Sequence, residues 1–194
     1  LIPIPVVLLD AYFETVPCNC VLLNNVQGAY LAARHLIRTC KTQPGYLHSA
    51  YPISNFAERS SGFYKAVRAA GMSSSRSIVH KLTPSMEGAY ADMMELIKNG
   101  EELAPCYFAD NDLIAVGAIK ALKETDTDPL DIGIVGFDNL PLGSVIEPAL
   151  TTIHVPKQYM GEAAAQKLID LLHTPGQPPT KTEVSTMLVK RGTV

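Results

Sequence analysis

The sequence contains no tryptophan, only four cysteines, and no uninterrupted apolar run of the roughly 18 residues that a membrane-spanning helix needs. The lack of such a run argues against a helical membrane protein. Charged residues make up 18% of the 194 residues, and 16 lysines and arginines face 19 aspartates and glutamates. A chain so close to neutral lacks the basic surface that holds nucleic acid nonspecifically. We therefore do not expect this sequence to bind nucleic acid by itself.

The few cysteines are expected to be reduced thiols of a cytoplasmic protein. Cys18 and Cys20 form a C-x-C pair, whereas Cys40 and Cys106 stand alone. This spacing differs from the paired C-x-x-C pattern of zinc sites, so no metal is predicted. Residues 1–9 have neither the basic start nor the cleavage site of a secretory signal. Because these residues begin without Met and run at once into an apolar stretch, we expect a fragment of a longer protein.

Enzyme motifs are also missing. The sequence has no G-x-G-x-x-G after its first apolar run, no G-x-x-x-x-G-K-[ST], no G-x-S-x-G and no H-E-x-x-H. The five histidines lie on separate predicted elements, and for His48 and His80 packing within strands is favoured over metal binding. We therefore predict no catalytic residue, no metal and no cofactor, and expect a binding protein rather than an enzyme.

Short apolar runs alternate with segments of helical periodicity along most of the chain. The runs are nearly continuous rather than alternating, which is typical of parallel strands covered on both faces. Gly71 and the Asn99-Gly100 pair are predicted to end two of the helices between them. The strands are predicted at residues 4–9, 20–23, 45–48, 77–80, 106–109, 132–137 and 183–189, and a further helix at 156–173. This order predicts an α/β fold with a three-layer, doubly wound parallel sheet.

The predicted elements divide into one complete lobe and part of a second. Residues 27–154 and 178–194 are predicted to form the complete lobe. Residues 1–26 and 155–177 supply two strands and one helix, which cannot close a core of their own. We expect them to be the remnant of an N-terminal lobe whose other strands precede this sequence.

Polar side chains follow the predicted strands at their carboxyl ends, where open parallel sheets bind ligands. Carboxylates and amides accept from and donate to neighbouring hydroxyls, and an arginine offers a fixed fork of donors. We therefore predict a polyol-binding cleft at this edge of the sheet. Its candidate residues are Asp10, Asn55, Phe56, Arg59, Asn111 and Asp138.

Each polar candidate has a plainer structural explanation. Either Asn111 or Asp112 is a natural N-cap of the next helix, and Asp112 is favoured as the cap, which leaves Asn111 to face a ligand. The turn at 138–139 can be simple turn chemistry, and Asp10 can cap a loop. Arg59 can be a solvated charge on a helix. Their coincidence at one sheet edge shifts the balance toward a ligand site.

Four sequence blocks resemble the lactose-repressor (LacI/GalR) family of bacterial transcription regulators. Residues 28–37 are similar to the family's G-x-x-x-A-x-x-H-L-I, and residues 59–66 to its R-x-x-G-F-x-x-A. Residues 111–117 carry N-D-x-x-A-x-G, and residues 131–138 are similar to D-I-x-V-x-G-F-D. In this order and spacing the blocks are highly specific, and the resemblance covers nearly the whole chain.

The resemblance implies the effector-binding region of such a regulator, with a type I periplasmic-binding-protein-like fold. It implies a homodimer or tetramer, contact with operator DNA only through an N-terminal helix-turn-helix outside this sequence, no membrane, and a small effector, usually a sugar, that alters the geometry of two lobes. It also implies hydrogen bonds to the effector from Asp10, Arg59, Asn111 and Asp138, with Asn55 and Leu23 close by.

Both an alternative function and the identity of the sugar stay open. An extracytoplasmic sugar-binding protein of a transporter shares the two-lobed fold and is the alternative function. The sequence also departs from the family pattern, because Pro84-Ser85 precede the third helix where the family has an aromatic or polar residue, and Val155 replaces a common glutamine. The identity of the sugar therefore stays open.

Overall fold

A computed structural model describes residues 4–125 and 131–194 of the chain. The strands are β1 Val7–Leu9, β2 Asn19–Leu23, β3 Gly45–Ser49, β4 Val79–Leu82, β5 Cys106–Ala109, β6 Gly133–Asp138, β7 Thr151–His154, β8 Lys181–Val184 and β9 Met187–Val189. The helices are α1 Asn25–Cys40, α2 Ser54–Ala69, α3 Met86–Lys98, α4 Asp112–Glu124, α5 Leu142–Val145 and α6 Lys157–His173, with a short 3₁₀ turn at Ser74–Arg76. None of the helices in the described part is long and apolar enough to span a bilayer.

The chain divides into two compact units. The first comprises Leu1–Asn24 and Val155–Thr186, and it holds a parallel sheet in the order β1-β2-β8 with α6 packed on β1 and β2. The second comprises Asn25–His154 and Met187–Val194. The sequence prediction assigned residues 178–186 to the second unit, whereas the structure places them in the first, because β8 pairs with β2. Residues 1–3 of the predicted first lobe lie outside the described residues.

The second unit is built on a six-stranded sheet in the order β4-β3-β5-β6-β7-β9. Its first five strands are parallel, and β9 pairs antiparallel with β7. Helix α1 packs against α2, and α3 packs against α4. This arrangement confirms the predicted α/β fold with a doubly wound parallel sheet. The largest side chains that are fully buried include Tyr46, Phe63, Tyr107, Phe108 and Phe137.

One strand prediction was wrong, and one strand was missed. The predicted strand at 183–189 is two strands, β8 and β9, which belong to different units and are separated by residues 185–186. Strand β7 was not predicted, because its two threonines make the segment look polar. Both threonines are fully buried with their polar atoms bonded: the Thr151 amide donates to Thr193 Oγ1 at 2.9 Å, and the Thr152 hydroxyl donates to a carboxylate. Buried hydroxyls that are satisfied in this way do not break a strand.

Helix ends follow the predicted signals closely. Gly71 and Gly100, just past α2 and α3, have φ angles of 75° and 69°, a left-handed conformation that glycine adopts without a steric penalty. Ser85 caps α3 by accepting a hydrogen bond from the Gly88 amide at 3.1 Å. These ends fix where the loops at the two edges of the sheet begin.

Candidate functional site

The carboxyl edge of the second unit's sheet gathers most of the predicted site residues. Arg59 reaches this edge from the second turn of α2, and Asp138 is the last residue of β6. Asn111 directly precedes α4, and one residue separates it from the end of β5. The sheet topology therefore brings together side chains that are up to 79 residues apart in sequence (138 − 59).

Arg59 is a buried guanidinium and not a solvated charge, since only 5% of the residue is exposed. Its Nε donates to Asn25 Oδ1 at 2.9 Å, and one terminal nitrogen donates to the backbone carbonyl of Asp110 at 2.5 Å. Two of its five N–H groups are thereby used. The remaining N–H groups give the side chain donors to offer a ligand.

Aromatic rings hold the Arg59 guanidinium on two sides. Its central carbon lies 3.8 Å from the ring centroid of Phe137 and 5.4 Å from that of Phe56. Cation–π contact of this kind is strongest where water is excluded, and Phe56 is itself only 7% exposed. Phe56, a site residue predicted from the sequence, therefore packs near the guanidinium and restricts the orientations that the Arg59 side chain can adopt.

Asp138 faces Arg59 without a direct hydrogen bond. The distance from its Oδ1 to Arg59 Nη2 is 3.7 Å, which is longer than a hydrogen bond, and a quarter of the Asp138 side chain is exposed. The Asp138 backbone has a φ of 108°, a conformation that is rare for residues other than glycine. Such strain clusters at functional sites, where surrounding contacts hold the backbone in place. We call Phe56, Arg59, Phe137 and Asp138 the Arg59 cluster.

The structure corrects the predicted helix cap beside this cluster. Asn111, not Asp112, caps α4, because its Oδ1 accepts the Ile114 amide at 2.8 Å. The cap occupies the oxygen of the Asn111 side chain and leaves its Nδ2 amide as the group that can donate to a ligand. The prediction erred because both residues are good caps and only the backbone geometry decides between them.

Asp112 instead anchors the loop that follows β6. Its Oδ1 accepts from the Thr152 hydroxyl at 2.5 Å and its Oδ2 from the Leu140 amide at 2.7 Å. Burial raises the pKa of Asp112 to about 6, although both hydrogen bonds work in the opposite direction. A side chain at Gly136 would overlap Asp112 Oδ1, so the strand must be bare at that point.

Asn139, next to Asp138, is held by side chains of β7 and the C-terminal segment. Its Oδ1 accepts from Arg191 Nη2 at 2.6 Å, and its Nδ2 lies 3.0 Å from His154 Nδ1. Its φ of 51° is one that asparagine tolerates better than most residues. We call Asp112, Asn139, Leu140, Thr152 and Arg191 the Asp112 cluster. The hydrogen bonds of this cluster join the end of β6 to α4 and β7.

A third polar group, centred on Asp110, was not recognised from the sequence. Its carboxylate is fully buried and accepts from the Tyr46 hydroxyl, from His48 Nδ1 at 2.6 Å and from the Ser49 amide at 2.7 Å. Burial raises the pKa of the Tyr46 hydroxyl. The available signal was the pair of polar side chains at 46 and 48, two residues apart and hence on one face of an otherwise apolar strand.

The remaining candidates are placed as follows. Asn55 is half-buried in the first turn of α2. Asp10 and Leu23 belong to the first unit, where Asp10 follows β1 with a φ of 56° and Leu23 is the buried last residue of β2. The Asp10 amide donates to the Val21 carbonyl at 2.9 Å. Their part in a ligand site stays a prediction.

Metal binding finds no support in the described residues. Among residues 4–125 and 131–194, no three His, Cys, Asp or Glu side chains are placed to hold an ion. His48 pairs with Asp110, and His80 pairs with the Tyr107 hydroxyl. All four cysteines are free thiols.

Comparison with known proteins gives consistent matches. The periplasmic binding protein-like domain family matches residues 33–194. The transcriptional regulator GalS of Salmonella typhimurium is 36% identical over 76% of this chain and 44% of its own length. The regulator GalR of Escherichia coli is 32% identical over 91% of this chain and 51% of its own length. The chain thus spans about half the length of these curated relatives.

A solved structure gives the same picture at the level of the fold. A LacI family transcriptional regulator from Enterococcus faecium, crystallised with bound ribose, has a TM-score of 0.87 and 28% identity. The match covers 97% of this chain and 70% of the other.

Proposed function

The chain belongs to the periplasmic binding protein-like domain family, within the LacI family of transcriptional regulators, and on that premise we propose that it binds a sugar or related small polyol as the effector of such a regulator. The observation that carries the proposal is the buried guanidinium of Arg59 beside Asp138. The 3.7 Å gap between Nη2 and Oδ1 suits a hydroxyl group that accepts from Arg59 and donates to Asp138.

The surrounding residues extend this hydrogen-bonding set. We propose that the Asn111 amide nitrogen, which the cap does not use, adds a donor, and that Asn55 in α2 adds both a donor and an acceptor. Asp10 and Leu23, from the first unit, are proposed to contact the effector as well. Aromatic and aliphatic surface next to converging polar groups is the usual composition of a small-molecule site.

Effector binding is proposed to act through an equilibrium between arrangements of the two lobes. A ligand shifts such an equilibrium only by the difference between its affinities for the two arrangements. A DNA-binding segment outside this sequence would respond to the shift, in a cytoplasmic homodimer or tetramer. The protein would bind operator DNA through that segment alone and would catalyse no reaction.

The alternative, an extracytoplasmic sugar-binding protein, is distinguished by the chain that precedes this sequence. A helix-turn-helix there supports the regulator, and a secretory signal or lipoprotein cysteine supports the transport protein. The relatives named above are regulators, which favours the first interpretation.

The proposal is tested by thermal shift of the full-length protein with D-ribose, D-glucose, D-galactose, D-fructose, lactose, maltose and cellobiose. A ligand that binds only the native state raises the melting temperature as its concentration rises. We expect at least one sugar to do so in the wild type and to have far less effect on Arg59→Lys. If no sugar of the panel changes the melting temperature of the wild type, the proposal is overturned.

A further inference from the structure

The pair formed by His48 and Asp110 is not explained by the candidate site as described so far. Asp110 is a fully buried carboxylate, and burying a charge is costly unless hydrogen bonds compensate. Three donors converge on it: the Tyr46 hydroxyl, His48 Nδ1 and the Ser49 amide.

The carboxylate favours one position of the His48 proton. A carboxylate oxygen accepts hydrogen bonds, and His48 Nδ1 lies 2.6 Å from Asp110 Oδ2, so this pairing favours the tautomer with its N–H on Nδ1. In that tautomer Nε2 is an acceptor. The ring also lies against Tyr46, with 4.9 Å between the centroids, so its orientation is constrained from two directions.

The outer edge of the His48 ring is open. A quarter of the side chain is exposed, whereas Asp110 is fully buried. Among the described residues, the only fully buried side-chain nitrogen or oxygen without a hydrogen-bond partner is His35 Nε2. His48 Nε2 makes no hydrogen bond to any described residue and is not in that class, so it is not fully buried and solvent can reach it. In the tautomer with the proton on Nδ1, a nitrogen in this position can accept a hydrogen bond from a ligand.

His48 is linked to Arg59 through Asp110. It is the fourth of the five residues of β3, at the carboxyl end of the strand, and its partner Asp110 accepts a hydrogen bond from Arg59 through its backbone carbonyl. Asp110 thus connects the imidazole through its side chain and the guanidinium through its main chain. One buried residue positions two groups at the same edge of the sheet.

We propose that His48, oriented by Asp110, is a further ligand-binding residue that accepts a hydrogen bond from an effector hydroxyl through Nε2. The inference rests on the proposed sugar-binding function and adds a specificity element to it. A sugar with a hydroxyl at the matching position is favoured over its deoxy analogue, because the analogue leaves Nε2 without its donor.

The test compares His48→Asn with His80→Asn in the full-length protein. Asparagine retains a donor at the position of Nδ1, and so the bond to Asp110, but has no atom at the position of Nε2. The equivalent change at His80 is the matched control, because His80 is the second residue of β4 and pairs with the Tyr107 hydroxyl on β5. The probe is the sugar from the panel above that binds the wild type most tightly, measured by isothermal titration.

We expect His48→Asn to weaken binding about 5- to 10-fold and His80→Asn to leave it unchanged. The deoxy analogue that lacks the contacted hydroxyl should bind the wild type and His48→Asn alike. Equal affinities of the wild type and His48→Asn for the sugar overturn the proposal while leaving sugar binding intact. Failure of every sugar to bind the wild type overturns the proposed function and this inference with it.

A measurement on the unmutated protein covers the case in which His48→Asn does not fold. Imidazole ¹⁵N spectra of the wild type report the state of each ring nitrogen. Addition of the saturating sugar should shift the Nε2 resonance of His48 and leave that of His80 in place. An unchanged His48 resonance in the sugar-saturated protein would contradict the proposal.

Discussion

Two carboxylates at the same edge of the sheet, Asp138 and Asp112, are used in opposite ways. Asp112 is fully buried, and both of its oxygens are filled by the Thr152 hydroxyl and the Leu140 amide. Asp138 is partly exposed and stands 3.7 Å from the nearest nitrogen of Arg59, beyond hydrogen-bonding distance. The Asp112 carboxylate holds a loop, whereas we propose that Asp138, partly exposed beside a guanidinium, contacts a ligand. Residue type alone does not separate the two.

The largest expected effect is on effector affinity, and it belongs to the Arg59 cluster. Removing the guanidinium in Arg59→Ala should cost about 2–5 kcal/mol of binding, because a buried fork of donors is lost from the site. The substitution should also lower the melting temperature, since Arg59 bonds Asn25 and the Asp110 carbonyl. Arg59→Lys is the matched control that keeps the charge without the fork. Unchanged titration isotherms for both variants would remove Arg59 from the site.

A substitution in the Asp112 cluster should show the reverse balance. Asp112→Ala leaves the buried Thr152 hydroxyl and the Leu140 amide without their acceptor, and we expect a loss of about 3 kcal/mol in the free energy of unfolding. Denaturant unfolding measures this loss. The comparison fails if Asp112→Ala is as stable as the wild type, or if its main effect is on affinity at unchanged stability.

The same carboxyl predicts a pH dependence of stability. The pKa of Asp112 is raised to about 6 in the folded protein against 3.8 for the free side chain, so the folded state binds the proton more tightly. Its contribution therefore makes the protein more stable as pH falls from about 7 to about 4, by roughly 2 kcal/mol, and the gain is lost as pH rises through 6. Asp112→Asn does not titrate, and the difference between wild type and variant isolates the effect. A difference in unfolding free energy that is constant between pH 4.5 and 7 would contradict it.

The smallest expected effect separates capping from ligand contact at Asn111. Aspartate at this position retains the oxygen that caps α4 but lacks the Nδ2 amide. Asn111→Asp should therefore keep the melting temperature of the wild type while weakening effector binding by about 1 kcal/mol. Asn111→Ala, which loses both groups, is the companion variant and should lose about 1 kcal/mol of stability as well. Binding of Asn111→Asp at wild-type strength would restrict Asn111 to its capping role.

The sequence was most informative about features that depend on local periodicity. Continuous apolar runs and helix-end glycines predicted the doubly wound sheet, and the rule that parallel strands bind ligands at their carboxyl ends predicted the edge. Local patterns could not locate β7, because Thr151 and Thr152 read as polar until their long-range partners are known. They also misplaced the strand at 183–189, whose two halves pair in different sheets.

The same limit applies within the site. The sequence identified Arg59 and Asp138 as candidates, but the choice of Asn111 over Asp112 as the cap depends on backbone angles that both residue types can adopt. The role of Asp110 depends on strands β3 and β5 being neighbours, which is a property of the sheet order and not of either segment. Polar residues become interpretable only when the partners that satisfy them are known.

A crystal structure of the full-length protein with the tightest-binding sugar of the panel tests the central claim most directly. We expect one sugar hydroxyl oxygen within about 3 Å of both Arg59 Nη2 and Asp138 Oδ1, with the Asp112 carboxylate still bonded to Thr152 and Leu140. A sugar bound elsewhere, with the Arg59 cluster making no contact to it, would contradict the account.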